Sequence, residues 1–232
     1  MLIKCIVLIF LISFSLPVSM SSESGASSRV KGNSLKKKYN FSTDWFSMNI
    51  PRWEKILRDF KGKPGINYLE IGLFEGRSFF WMLENILTHS TSTATGIDPF
   101  SPKVEEVFMS NLKLSGLQDK VKVLKGYAQV EVRNLPDHSF DIIYIDGDHS
   151  SAGVLVNAVF CWRLLRKGGL LIFDDYGWHK NNAKKPPTAK PQIAVDGFLA
   201  SLKRQIDVIH KQYQCIIRKK EFLYWEKERH TN

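Results

Sequence analysis

From residue 66 onward the sequence alternates short runs of β-branched and apolar residues with longer stretches whose apolar positions recur at helical spacing. A chain written this way folds as a parallel sheet flanked by helices, because each strand needs a crossover long enough to return to the same end of the sheet. Strands are expected over residues 66–71, 93–98, 121–125, 141–146 and 170–173. The fourth of these is apolar almost throughout, as befits a strand covered on both faces. Helices are expected over 78–87, 103–114, 152–165 and 193–204, the second stopped by Gly116 and the third by Lys167-Gly168-Gly169. Two further apolar runs, 213–217 and 222–225, lie close enough across Lys219-Lys220 to form a hairpin. The fold class is therefore α/β, with a doubly wound sheet.

A chain of 232 residues suits one domain with a full core. Cys5, Cys161 and Cys215 supply neither a disulfide framework nor the paired spacing of a zinc site. The net charge of +10 invites a polyanionic partner, so its location matters. Residues 41–176 hold 15 basic and 17 acidic side chains, a balance of −2. The excess sits in residues 29–38, in a loop carrying Lys180, Lys184, Lys185 and Lys190, and beyond Lys203. At the N-terminus, Lys4 precedes an apolar run to Leu16 that is too short to span a bilayer and suits a signal peptide. Residues 1–26 are thus expected to be a signal peptide or N-terminal apolar segment, 27–40 a basic flexible linker, and 41–232 the folded domain. Export to a periplasmic or extracellular space follows, with membrane contact only through residues 1–20 if they stay attached. If Met20 is the true start, the protein is cytoplasmic. In a secretory pathway Asn40-Phe41-Ser42 is a glycan acceptor.

Ligands of a doubly wound sheet bind beyond the carboxyl ends of its strands. Acids and glycines collect there in this sequence. The first strand runs into Glu70-Ile71-Gly72-Leu73-Phe74-Glu75-Gly76, where Gly72 and Gly76 let the backbone pass close to a ligand before a helix begins. The plainer use of the pair is a tight strand-to-helix turn. The spacing is not the G-x-G-x-x-G of dinucleotide enzymes. Asp98 ends the second strand 22 residues beyond Gly76, placed to accept hydrogen bonds from both ribose hydroxyls of a nucleoside. Its alternative is to cap the next helix through Asp98-Pro99.

With these residues, the stretch from Tyr68 to Tyr176 resembles class I S-adenosylmethionine-dependent methyltransferases. Asp146-Gly147-Asp148-His149, the run Leu164-Leu165-Arg166-Lys167-Gly168-Gly169-Leu170, and Asp174-Asp175-Tyr176 are similar to the small-domain group that includes cephalosporin-hydroxylase-like and macrolide-sugar O-methyltransferases. The resemblance implies a Rossmann-like, mostly parallel seven-stranded sheet with a C-terminal antiparallel hairpin strand, and S-adenosyl-L-methionine as cofactor. It sets the methionyl moiety over Glu70, Gly72 and Gly76 and the ribose on Asp98, with Asp146 on the same cofactor edge. Gly126-Tyr127-Ala128-Gln129 corresponds to the adenine edge. Tyr127 stands where the wider family often has an acid, which leaves adenine to backbone groups and Gln129, or leaves Tyr127 to packing.

Asp146 ends the fourth strand, and Asp174 and Asp175 end the fifth, its expected neighbour. Three converging carboxylates disfavour joint ionisation, and a hard divalent cation such as Mg or Mn resolves the conflict. The 28-residue separation of Asp146 and Asp174 also resembles the metal-binding pattern of catechol-type O-methyltransferases, whose usual third ligand, Asn, is replaced here by Asp175. The alternative is that these acids cap the following loops, and Asp148 is a spare ligand or a helix cap. His149 lies where catechol-type enzymes carry the base that takes the acceptor's hydroxyl proton, although a lone histidine is more often structural. In the loop beyond, Trp178 and His179 are placed to line an acceptor pocket, with its lysines favouring an anionic acceptor, unless the loop is merely solvated.

The leading expectation is metal-assisted O-methylation of a small hydroxylated molecule by Asp146 and His149. Two others stand beside it: a nucleic-acid or protein methyltransferase docking through basic tails, and a non-catalytic S-adenosylmethionine-binding module. The chain lacks the Asn/Asp-Pro-Pro-aromatic motif of enzymes acting on base amino groups, which demotes nucleic acid as a partner.

Overall fold

A computed structural model of the chain describes residues 38–220. The expected signal segment, residues 27–37 of the linker and the run at 222–225 lie outside the described residues. The strands are β1 (Asn67–Ile71), β2 (Thr93–Asp98), β3 (Val121–Lys125), β4 (Phe140–Ile145), β5 (Leu165–Phe173), β6 (Ile206–Lys211) and β7 (Cys215–Lys219). The helices are α1 (Ile50–Ile56), α2 (Arg77–Asn85), α3 (Pro102–Ser115), the single turn α4 (Ala128–Glu131), α5 (Ser151–Leu164) and α6 (Pro191–Ser201). All seven strands form one sheet in the order β3-β2-β1-β4-β5-β7-β6. The first five are parallel, β7 runs antiparallel to β5, and β6 antiparallel to β7.

Strand alternation divides the core between the two faces of this sheet. Leu69, Ile71, Ile143, Ile145, Leu171 and Phe173 share one cluster with residues of α5 and α6. Tyr68, Ile142, Tyr144, Leu170 and Ile172 share the other with α1, α2 and α3. Continued by one step, the second set of positions reaches Glu70, Asp146 and Asp174. The period of two thus delivers three acids to one face at the ends of three adjacent strands.

The structure revises three expectations. It adds a hairpin that was not expected: β6 and β7 meet across residues 212–214, and β7 ends at Lys219. β6 was illegible because it is an edge strand with Val208 and Ile209 exposed, so its burial follows no alternating pattern. Second, α5 stops at Leu164 and β5 begins at once, so Lys167-Gly168-Gly169 lies in an irregularity of β5 as pairing passes from Phe140↔Leu165 to Ile142↔Leu170. The helix end is instead served by Lys219, fully buried, whose Nζ donates to the carbonyls of Trp162 at 2.9 Å and Leu165 at 3.2 Å. A cation there complements the partial negative charge of a helix C-terminus. Third, α1 had no expected counterpart. Its Trp53 is fully buried, packed edge-on against Tyr144 at 4.9 Å between ring centroids.

Gly72 fixes the contact between the ends of β1 and β4. Its φ is +88°, and an added Cβ would stand 2.1 Å from the carbonyl oxygen of Asp146. Both facts exclude a side chain. Gly72→Ala is expected to cost more than about 2 kcal/mol in urea unfolding, as a forced backbone shift at a buried site does; an unchanged midpoint would show that the two strand ends are free to separate.

Candidate active site

Two of the three acids at the strand ends, Glu70 and Asp146, are met by a tyrosine two residues before them, on the same face of the strand. Tyr68 donates to Glu70 Oε2 at 2.5 Å and Tyr144 to Asp146 Oδ2 at 3.0 Å. Glu70, fully buried, also accepts from Ser78 Oγ at 2.5 Å, and burial pushes its carboxyl up to about 8. The Tyr144 hydroxyl bonds to Asp174 Oδ2 as well, while Asp174 Oδ1 accepts from the Asp175 backbone N–H at 2.7 Å. Burial raises both Asp146 and Asp174; Asp174 and Asp175 push Asp146 further, and Asp175 does the same to Asp174. The charges acting on Asp146 are thus carboxylates, Glu70 included.

Beside them, His149 Nδ1 lies 3.1 Å from Asp175 Oδ2. Ligand atoms of Asp146, His149 and Asp175 fall within 4.8 Å of one another. The expected set was Asp146, Asp174 and Asp175; the structure brings His149 into the group and gives Asp174 hydrogen bonds on both oxygens. Those bonds do not disqualify Asp174 as a ligand, since each carboxylate oxygen has two lone pairs. Asp148 is committed elsewhere, accepting from the Ser150 N–H at 2.8 Å just before α5, whose N-cap is Ser150.

A cavity of about 500 Å³ opens at the point where strand order reverses between β1 and β4. Gly72, Asp98, Tyr127, Ala128, Gln129 and Asp146, all expected to bind cofactor, line it, as does His149. Glu70, Gly76 and Gly126 do not. Glu70 lies behind the wall and reaches the cavity only through Ser78. Gly76 serves the turn itself, with φ +89° and Phe80 where a Cβ would go, and Gly126 lies against Glu131. Tyr127 is 69% exposed, so it is not a packing residue. Asp98 lines the cavity, and its carboxylate accepts from the N–H groups of Leu73, Phe74 and Phe100 at 2.7–3.0 Å, in the turns after β1 and β2 rather than at the N-terminus of α3, whose N-cap is Ser101. Phe74 and Phe100 have positive φ, 49° and 43°, and Asp98 is what holds those turns.

Several wall residues were not anticipated. Phe41, Thr43 and Trp45 close one side, held by Arg77, which donates Nε to the Thr43 carbonyl at 3.1 Å and pairs with Asp44 at 3.2 Å. Their sequence shows no helical or strand period, so nothing local marks them. Tyr144 and Tyr68 were legible in principle from the repeated Tyr-x-acid spacing. On the opposite side, the expected acceptor loop does reach the site: Trp178 packs edge-on against His149 at 5.3 Å and stacks on His179 at 4.0 Å.

Residues 69–176 match the family described as a methyltransferase domain. A catechol O-methyltransferase of Mycobacterium tuberculosis is 28% identical over 107 residues, 46% of this chain and 46% of that enzyme, so the match spans less than half of either. An O-methyltransferase from Bacillus cereus, solved in complex with SAH, superposes with a TM-score of 0.58 at 20% identity, covering 87% of this chain and 94% of that one. MycE, from the mycinamycin biosynthetic pathway and solved with Mg and SAH, gives 0.56 at 18% identity, covering 84% of this chain and 54% of its own.

Glu70, Asp146 and Asp174 hold protons more tightly in the folded than in the unfolded chain. Stability of the ligand-free protein in chelator should therefore fall as pH rises, with the share due to Glu70 lost between about 4.5, the ordinary carboxyl range, and about 8. Urea midpoints across this range test it, and Glu70→Gln should flatten the slope; an equal slope in that variant would remove Glu70 as a contributor.

Proposed function

We propose that this chain is a class I S-adenosylmethionine-dependent methyltransferase that transfers methyl to the oxygen of a small hydroxylated acceptor, with a divalent cation at the acceptor edge. The observation that carries this reading is the pairing of an oriented imidazole with uncompensated carboxylates: His149 on Asp175, beside Asp146, at the cavity wall. A methyl acceptor that arrives as a neutral hydroxyl needs a base, and an Nδ1–H donated to Asp175 leaves Nε2 free to serve.

When bound, S-adenosylmethionine supplies a methyl on a positively charged sulfur, so the protein's own work is alignment and proton removal. The cavity suits it, with Ser78 and Gly72 towards Glu70 at one end and Tyr127, Ala128 and Gln129 at the other. Glu70 in ionised form would face the cofactor's amino group through Ser78. His149 Nε2 takes the acceptor's hydroxyl proton, and Asp175 stabilises the imidazolium that results. Gly72, Asp98 and the Tyr127–Gln129 edge would hold the cofactor, whose sulfonium would supply the methyl to the oxygen that His149 has deprotonated. A cation held by Asp146, Asp174 and Asp175 would supply charge that lowers the acceptor's pKa and offsets the desolvation that otherwise penalises ionised Asp146 and Asp174. Trp178, edge-on to His149 at 5.3 Å, puts an aromatic ring on the acceptor side, which favours a ring-bearing acceptor such as a sugar or catechol-like diol.

Export remains a proposal resting on residues 1–26. Among the described residues, no helix is long and apolar enough to cross a membrane.

Calorimetry should show SAH binding to the wild type, with Asp98→Ala at least about tenfold weaker, the scale of losing hydrogen bonds to a charged group; a folded wild type that gives no heat would overturn the cofactor reading. With vicinal-diol acceptors, excess chelator should abolish SAH formation and Mg or Mn restore it, and full activity in chelator would remove the three aspartates from that role. His149→Ala should lower turnover by about 10²-fold or more while leaving SAH affinity within about twofold. An unchanged rate would reject the base.

A further inference from the structure

The turn of the β6–β7 hairpin enters the acceptor side of the site. Tyr213, in that turn, donates its hydroxyl to Asp175 Oδ1 at 2.7 Å, opposite the oxygen that meets His149. Asp175 thus has one donor on each oxygen. Its backbone is in the left-handed region at φ 53°, an arrangement that persists only where the surroundings over-determine it. Those surroundings are on the hairpin: the Gly177 N–H donates to the Tyr213 carbonyl at 2.9 Å, and a Cβ on Gly177 would stand 2.9 Å from the Tyr213 ring. The next residue, Gln214, is fully buried and accepts from Trp53 Nε1 at 3.0 Å, which anchors the turn to α1.

We infer that Tyr213 is a positioning residue for the cation site, acting through Asp175. The inference rests on the proposed cation. A carboxylate that ligates a cation through one oxygen must be kept from swinging, and a fixed donor on its other oxygen does this. Tyr144 stands in the same relation to Asp146. The two tyrosines reach the site from different elements, Tyr144 from within β4 and Tyr213 from the hairpin turn, and each leaves its aspartate an oxygen directed elsewhere. Without the Tyr213 hydroxyl, Asp175 retains only His149, and the imidazole and a cation compete for one mobile carboxylate.

The test is Mn²⁺ titration of the full chain, followed by electron paramagnetic resonance of free Mn²⁺, in wild type and Tyr213→Phe. The variant keeps the ring and should bind Mn²⁺ about tenfold more weakly, the lower end for loss of a residue supporting a ligand. SAH affinity by calorimetry and the melting temperature should be unchanged. In an Asp175→Ala background the same substitution should shift Mn²⁺ affinity less than about twofold, because its route of action is gone. Wild-type Mn²⁺ binding that survives Tyr213→Phe within twofold overturns the inference and leaves the cation reading standing. So does a tenfold shift that persists without Asp175. A wild type that binds no Mn²⁺ overturns both.

Discussion

Three carboxyl groups gather on one face of the sheet, Glu70 buried and Asp146 and Asp174 partly so, with their nearest charged neighbours also acidic. Ionising any of them in that setting is costly, and the surrounding architecture serves to make the cost bearable. Tyr68 and Ser78 hold Glu70, Tyr144 bridges Asp146 and Asp174, and α1 covers the bridge with Trp53. Such an arrangement contributes little to stability by itself. It is a standing demand for positive charge, which a cation would meet at the aspartates and the cofactor's amino group at Glu70.

The cavity joins two halves that the strand order keeps separate. The loops after β1, β2 and β3 present Gly72, Asp98 and the Tyr127–Gln129 edge, a surface of turns and backbone groups. The ends of β4 and β5 with the loop beyond present Asp146, Asp175, His149 and Trp178, a surface of charge and aromatic rings. Glu70 and Asp98 border the first half, and Asp146 belongs to both, because β4 is the strand beside the reversal.

Sequence pattern was most legible where hydrophobic period and punctuation agree. β2 and β3 begin and end at the expected residues, and of the acids at the strand ends Asp98 and Asp146 line the cavity while Glu70 lies behind its wall. The reading failed where geometry depends on distant partners. Gly72 and Gly76 look like ligand glycines from spacing alone, but Gly76 is required by the packing of its turn, and Gly72, although it lines the cavity, is required by the Asp146 backbone. Asp98 was weighed as ribose acceptor against cap, whereas its three N–H donors show one carboxylate holding the turns and still facing the cavity. Tyr213 had no local signal at all, since its importance arises from a hairpin whose first strand has no buried period.

The position of β7 between β5 and β6 bears on how the domain is assembled. As the chain leaves the ribosome, β1 to β5 can all find their neighbours once residue 173 has emerged. β6 comes next but has no place at the sheet until β7 follows it and turns back inside. A nascent chain therefore acquires its nucleotide-facing half early, and Tyr213, Gln214 and the Lys219 seal on α5 arrive together at the end. Until then Asp175 lacks its Tyr213 donor.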